Sequence, residues 1–191
     1  MKFLIAKEYH DEALRRAQAI PPLSNSHRGF DAVCIGCLGE LVFERFLDEH
    51  GITYESHLRQ TSHDYLVGEK KLIFEVKTKD RTVAPRPHYE CSAPLYNYDH
   101  QAVDAYAFFS LQREKGNSRG IDRFHTCWFV GLMSRDKLER VAVLRKKGQT
   151  DPRNGTTFWT DCLNVYIRDL SSVKEMVNYL GGSENSATDF R

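Results

Sequence analysis

No run of apolar residues in this sequence approaches the roughly 18 needed to cross a bilayer as a helix, so no membrane partner is expected. No charge of one sign prevails either: 27 Lys and Arg stand against 26 Asp and Glu, a formal net charge of +1. The global basic excess that marks a simple nucleic-acid binder is therefore absent, which still leaves room for basic loops. One such stretch spans 135–153, where Arg135, Lys137, Arg140, Arg145, Lys146, Lys147 and Arg153 face only Asp136, Glu139 and Asp151. A second C-x-x-C motif and a histidine pair are missing too, so Cys34 and Cys37 have nothing to complete a zinc site. They fall three residues apart on a predicted helix, and Cys91, Cys127 and Cys162 are scattered singly, which reads as small buried residues. The opening Met1–Ala6 runs at once into Lys7 and Glu8, too short for a secretory apolar region. With five cysteines, an odd number, a reducing intracellular setting is expected. No repeat, low-complexity tract or long linker divides the chain. One α/β domain over 1–182 with a flexible polar tail at 183–191 is the expected organisation.

Apolar spacing predicts a helix over 8–20, stopped by Pro21 and Pro22, and a second over 32–50 that ends at Gly51. Residues 23–31 read as a loop and 52–56 as a short strand. Three prolines (Pro85, Pro87 and Pro94) mark 80–97 as a loop, and a short helix is expected over 98–103. Buried strands are expected at 105–111 and 126–132, joined by the polar stretch 112–123. Ser134 is placed to cap a short helix, 140–145 is strand-like, and Arg145-Lys146-Lys147-Gly148 reads as a turn. A last strand at 162–167 precedes a helix over 173–180, opened by a Ser172/Glu175 capping box and closed by Gly181-Gly182. Trp128, Phe129, Phe158 and Trp159 read as core.

The chemistry concentrates in His63–Lys77. Two apolar runs flank Gly68-Glu69-Lys70-Lys71, the pattern of a tight hairpin. Centring the turn on Glu69 and Lys70 pairs Val67 with Leu72, Tyr65 with Phe74, and Asp64 with Glu75. Opposed residues share a face with Cβ atoms about 5 Å apart. Alternation then puts Lys77 beside Glu75, with Phe74, Val76 and Thr78 pointing the other way. Two carboxylates and an ammonium converge. Such a set suits a hard cation such as Mg²⁺, with Mn²⁺ as a substitute and the Val76 carbonyl as a further oxygen ligand. Lys77 is placed to orient or deprotonate a water, and Glu40 offers another carboxylate from the second helix. On Asp64, Glu75 and Lys77 alone, a solvated hairpin with a cross-strand salt bridge fits as well.

The wider order of residues resembles the PD-(D/E)XK nuclease superfamily. Gly39-Glu40 lies on a helix with Leu47 and Gly51 following; Asp64 matches the motif aspartate, Glu75-Val76-Lys77 the E-x-K half, and Gln101 the glutamine many members carry. Asp104-Ala105-Tyr106-Ala107-Phe108-Phe109 looks like the next core strand, so the likeness covers about residues 32–111. It departs at His63, where the motif proline is replaced, and at Tyr106, which is one position too far from Gln101 for the RecB-type pattern. The resemblance implies a restriction-endonuclease-like core, a central mixed β-sheet flanked by helices. It implies a Mg²⁺-dependent nuclease acting on DNA, endonuclease rather than exonuclease, in a cytoplasmic or nucleoid-associated setting. Asp64, Glu75, Val76 and Glu40 would hold metal, and Lys77 and Gln101 would complete the catalytic set. The basic loop with Arg81, Arg86 and His88 leaves the active strand and reads equally as a contact to the nucleic-acid backbone or as a solvated loop. His63 adjoins the site and His100 follows it, both equally well read as ordinary hydrogen-bonded histidines. A non-catalytic nucleic-acid-binding module of the same fold, or an interaction subunit with a merely polar hairpin, are the alternatives. The chain leaves little room for a separate target-reading domain, which favours a homodimer or a structure-directed enzyme.

Overall fold

The computed structural model describes residues 1–20, 29–57, 63–116, 119–153 and 155–180. Its frame is a six-stranded mixed sheet in the order β1-β7-β6-β4-β3-β2. These strands are β1 (Lys2–Leu4), β2 (Tyr54–Ser56), β3 (Tyr65–Val67), β4 (Leu72–Arg81), β6 (Ala105–Arg113) and β7 (Phe124–Ser134). A second, three-stranded antiparallel sheet runs β5-β9-β8, from β5 (Glu90–Pro94), β9 (Cys162–Tyr166) and β8 (Val143–Arg145). The helices are α1 (Lys7–Gln18), α2 (Gly29–Glu49), α3 (Leu95–His100), α4 (Arg135–Val141) and α5 (Val173–Leu180). The protein is thus mixed α/β, with helices packed on a central mixed sheet. Among the described residues no helix is long and apolar enough to cross a membrane.

Strand β6 explains the layering. It pairs parallel to β4 and antiparallel to β7, so it lies inside the sheet and is covered on both faces. A strand covered on both faces needs a continuous apolar run, which Ala105–Leu111 supplies. Ala105, Ala107, Phe109 and Leu111 face the helical side and pack with α1, α2 and α5. Tyr106 and Phe108 face the opposite side, where Cys91, Ala93, Leu138 and Val165 bring the small sheet and α4 against them. On the helical side Phe43 of α2 is the hub. Its ring centroid lies 5.3 Å from Tyr65, 5.9 Å from Phe74 and from Phe109, and 6.1 Å from Phe129. Those four rings come from β3, β4, β6 and β7, so one side chain registers the helix against four strands.

Helix α2 approaches β4 closely because Gly39 has no side chain. A Cβ built there would stand 1.9 Å from Thr78 Oγ1 and 3.0 Å from Thr78 Cβ and Cγ2. Thr78 is β-branched on a strand and has no rotamer that clears all three atoms. Gly39→Ala is expected to destabilise the fold by about 1–3 kcal/mol, read by urea unfolding. Thr78 Oγ1 is buried without a hydrogen-bond partner, so Thr78→Ala sacrifices no bond and should recover part of the loss. An unchanged unfolding midpoint in Gly39→Ala would contradict this contact.

Several expectations hold. The hairpin register pairs Val67 with Leu72 and Tyr65 with Phe74 across a 68–71 turn. Ser134 accepts from the Lys137 N–H and caps α4. Ser172 and Glu175 close the capping box at α5, with Glu175 N–H donating to Ser172 Oγ at 3.3 Å and the Glu175 carboxylate accepting from the Ser172 N–H. All five cysteines are buried and free.

Others need correction. Residues 29–31 belong to α2, while the rest of the expected 23–31 loop, Gly181-Gly182 and the 183–191 tail lie outside the described residues. The expected 80–97 loop contains β5 and the start of α3, which ends at His100 instead of reaching 103. Pro94 is tolerated because β5 is an edge strand bonded only to β9, where a missing N–H leaves no ladder gap. Strand β1 escaped notice, since three residues are too few to show alternation. Trp159 is 43% exposed, whereas its neighbour Phe158 is buried.

Candidate functional site

Strand β4 carries the site, and its two faces are chemically distinct. Phe74, Val76 and Thr78 turn towards α2, which leaves Ile73, Glu75, Lys77, Lys79 and Arg81 facing the small sheet. Asp64 sits just before β3 and is held by three bonds. Its N–H donates to Phe74 O at 3.1 Å, its carbonyl accepts from His57 N–H at 2.7 Å, and its Oδ2 accepts from Val76 N–H at 2.8 Å. Strand β3 has ended at this level, so the Val76 N–H would otherwise meet no strand, and the Asp64 side chain takes the place of the missing ladder bond. A residue's N–H and C=O leave a strand on the same edge, so the Val76 carbonyl lies on the Asp64 side.

Glu75 is 5% exposed. Its Oε1 accepts from Lys77 Nζ at 2.6 Å and from Gln101 Nε2 at 3.3 Å, while its Oε2 is buried without a partner. Burial pushes the Asp64 carboxyl up to about 7, and the neighbouring Glu75 charge adds to it; Lys77 and the Val76 N–H oppose the shift. The nearness of Glu75 thus favours the protonated form of Asp64. Adjacent carboxylates out of water cannot both stay charged unless a proton or a cation neutralises one. This pair can therefore hold either.

Glu40 belongs to the same electrostatic unit from the other side of the sheet. Burial raises its carboxyl well above the usual range, the Asp64 charge raises it further, and Glu75 contributes least. Its Oε2 is buried without a partner. Arg16, which grips Glu44 one turn further along α2 with two bonds of 2.8 Å, pulls Glu40 partly back. Among the described residues no three His, Cys, Asp or Glu side chains are grouped to hold a metal ion. Glu40 lies on α2, which packs on the Val76 face of β4, while Glu75 projects from the other. The donor set is two carboxylates and a main-chain carbonyl, all hard oxygens, with a Glu75 oxygen buried without a partner. That set fits Mg²⁺ or Mn²⁺, which keep several waters beside one or two carboxylates.

Gln101 lies just past the end of α3 rather than on it, yet reaches Glu75. His63 flanks Asp64, and its ring lies 4.8 Å from that of His57, which no spacing pattern had marked. Arg81 is turned inward. It donates to Ser110 Oγ at 3.0 Å and to the Glu90 carbonyl at 2.7 Å, and it lies 5.2 Å over the Tyr89 ring. Arg86 and His88 are exposed at the surface, and the His88 ring lies 4.8 Å from that of Tyr89. The basic 135–153 stretch is largely paired: Arg145 and Arg153 with Glu90, Arg153 with Asp151, Lys146 with Asp161, and Arg135 with Glu139. Arg135 is the residue the sequence reading missed, because its bonds go to main-chain carbonyls, which no sequence motif records. No protein-family model matches this chain, and no curated protein matches it.

Proposed function

We propose that this protein is a Mg²⁺-dependent nuclease of the PD-(D/E)XK type, with a restriction-endonuclease-like core, that hydrolyses internal phosphodiester bonds in DNA. One observation carries the reading: Asp64, Glu75, Lys77 and Gln101, four residues of the motif order, meet at the middle of β4 around a carboxylate pair that needs a counter-charge. Asp64, Glu75 and the Val76 carbonyl would hold the cation. When bound, such an ion lowers the pKa of a coordinated water and neutralises charge on the departing oxygen. Lys77, anchored by Glu75, carries its ammonium beside that position and there orients a water or offsets phosphate charge. Gln101 holds one oxygen of Glu75, and a bound cation would favour the ionised form of Glu40, whose carboxyl is raised by burial and by the Asp64 charge.

The test is a cleavage panel over single-stranded, linear duplex, nicked, flapped and four-way DNA with Mg²⁺ or Mn²⁺. Cleavage that EDTA stops is expected. Glu75→Ala and Lys77→Ala should each remove it by about three orders of magnitude or more, with circular dichroism unchanged. A wild-type protein that cuts none of these substrates would sink the proposal. A second reading, a nucleic-acid-binding module with the same fold and no reaction, draws on the lack of a three-ligand group among the described residues. It predicts DNA binding with no carboxylate-dependent Mg²⁺ uptake.

A further inference from the structure

Residues 101–103 lie in neither helix nor strand, between α3 and β6. The backbone from which the Gln101 side chain reaches Glu75 is held in part from α4. Arg135 Nη1 donates to the Gln101 carbonyl, its Nη2 donates to the Tyr98 carbonyl at 3.2 Å, and its guanidinium lies 4.2 Å over the Tyr98 ring. The main-chain N–H of Arg135 donates to Asp104 O at 2.9 Å. Asp104 in turn is tied to the start of β4, with its N–H donating to Ile73 O at 2.8 Å and its Oδ2 accepting from Ile73 N–H at 2.8 Å. Buried Val103 plugs the segment into the second core.

Resting on the nuclease reading, we propose that Arg135 is a positioning residue for the acid site. Its planar fork grips the two carbonyls that bracket the end of α3 and so presents the Gln101 amide to Glu75. Glu75 Oε1 then has two donors, Lys77 and Gln101, and the carboxylate cannot rotate without losing both. Oε2 remains buried without a hydrogen-bond partner. Arginine suits this place because one guanidinium serves two carbonyls and a ring face together, whereas a lysine ammonium has no planar fork to do so. The cation also stands at the C-terminal end of α3, where unpaired carbonyls attract it.

The experiment uses the ¹⁵N-labelled full chain and four variants, Arg135→Met, Arg135→Lys, Gln101→Ala and the double variant of Arg135→Met with Gln101→Ala. Gln101→Ala identifies the Gln101 side-chain amide resonances by their loss. In Arg135→Met those resonances should move to free-amide positions while β6 and β7 signals stay in place. In cleavage, Arg135→Met should lower kcat about 10–100-fold with little change in KM, as loss of an outer-sphere partner does. Added to Gln101→Ala it should cost nothing more. Arg135→Lys should fall between wild type and Arg135→Met in both measurements, and it carries the test if the Met variant does not fold. An unmoved Gln101 resonance, or losses that multiply in the double variant, would overturn the role of Arg135. A wild type that cleaves no DNA would instead count against the nuclease reading, and the resonances would still decide Arg135.

Discussion

Asp64→Asn is expected to make the metal-free protein more stable above pH 7 and to abolish the proposed DNA cleavage. The Asp64 carboxyl is pushed up to about 7 by burial and by the Glu75 charge, against an ordinary value near 4 in the unfolded chain. A folded-state value above the unfolded one means that the native protein binds the extra proton. The stability this contributes is fully present below about pH 4, and it is lost as the pH rises towards 7. Above 7 the native protein must keep two neighbouring carboxylates charged. Asparagine carries no charge and retains an oxygen for the Val76 N–H, so it keeps the anchor and removes the repulsion.

The difference between variant and wild type should therefore grow by a few kcal/mol from pH 5 to pH 8 in EDTA, measured by urea unfolding. Beyond pH 8 it should level off. Relief at Asp64 also eases Glu40, whose carboxyl is raised by the same charge, so the two effects will not add simply. Millimolar Mg²⁺ should stabilise the wild type above pH 7 and leave Asp64→Asn unmoved, because only a charged pair retains the ion. An Asp64→Asn protein less stable than wild type at pH 8 without metal would show that the acid pair is not under strain.

Glu90→Ala should cost about 3 kcal/mol or more of folding stability, the largest loss expected from a residue outside the acid site. Glu90 is 8% exposed and joins four parts of the chain. Its Oε1 accepts from Arg145 at 2.7 Å and from Arg153, and its Oε2 accepts from Asn164 at 2.5 Å. Its main-chain oxygen accepts from Lys79 and Arg81 of β4, which survive the substitution. Burial alone would raise its carboxyl, but bonds from Arg145, Asn164 and Arg153 outweigh it and hold the group below the ordinary range. Truncation leaves Asn164 and Arg145 desolvated without their acceptor, which is the expensive part. Arg153 is 44% exposed and keeps Asp151, so its share is small. Glu90→Gln should cost less than Glu90→Ala, since the amide oxygen still accepts from one donor. A loss below 1 kcal/mol in Glu90→Ala, measured by urea unfolding at pH 7, would mean that the small sheet is held by its apolar contacts instead.

The hairpin at the heart of the site was legible for a local reason. Its turn residues and two apolar runs lie within a few positions of each other, and a one-residue slip would turn Tyr65 and Phe74 out of the core. Asp64 opposite Glu75, and Lys77 beside it, follow from that register. The 80–97 stretch misled because three prolines argue for a loop only until an edge strand offers a place for one. The basic 135–153 stretch is balanced in part by a remote acid, Glu90, which precedes Arg145 by 55 residues and Arg153 by 63. Linear charge counts cannot see such partners.

By itself, then, the sequence determined the carboxylate pair, the lysine beside it and the apolar run that places β6 inside a sheet, because alternation and turn chemistry act over a few residues. The tertiary structure alone decided the rest. It put Glu40 on the opposite face of β4, turned Arg81 inward beneath Glu90, and aimed Gln101 at Glu75 from a segment held by Arg135. Those outcomes depend on which faces α2, the small sheet and α4 bury against the central sheet, and that is settled by long-range packing of apolar surfaces rather than by neighbours in the chain.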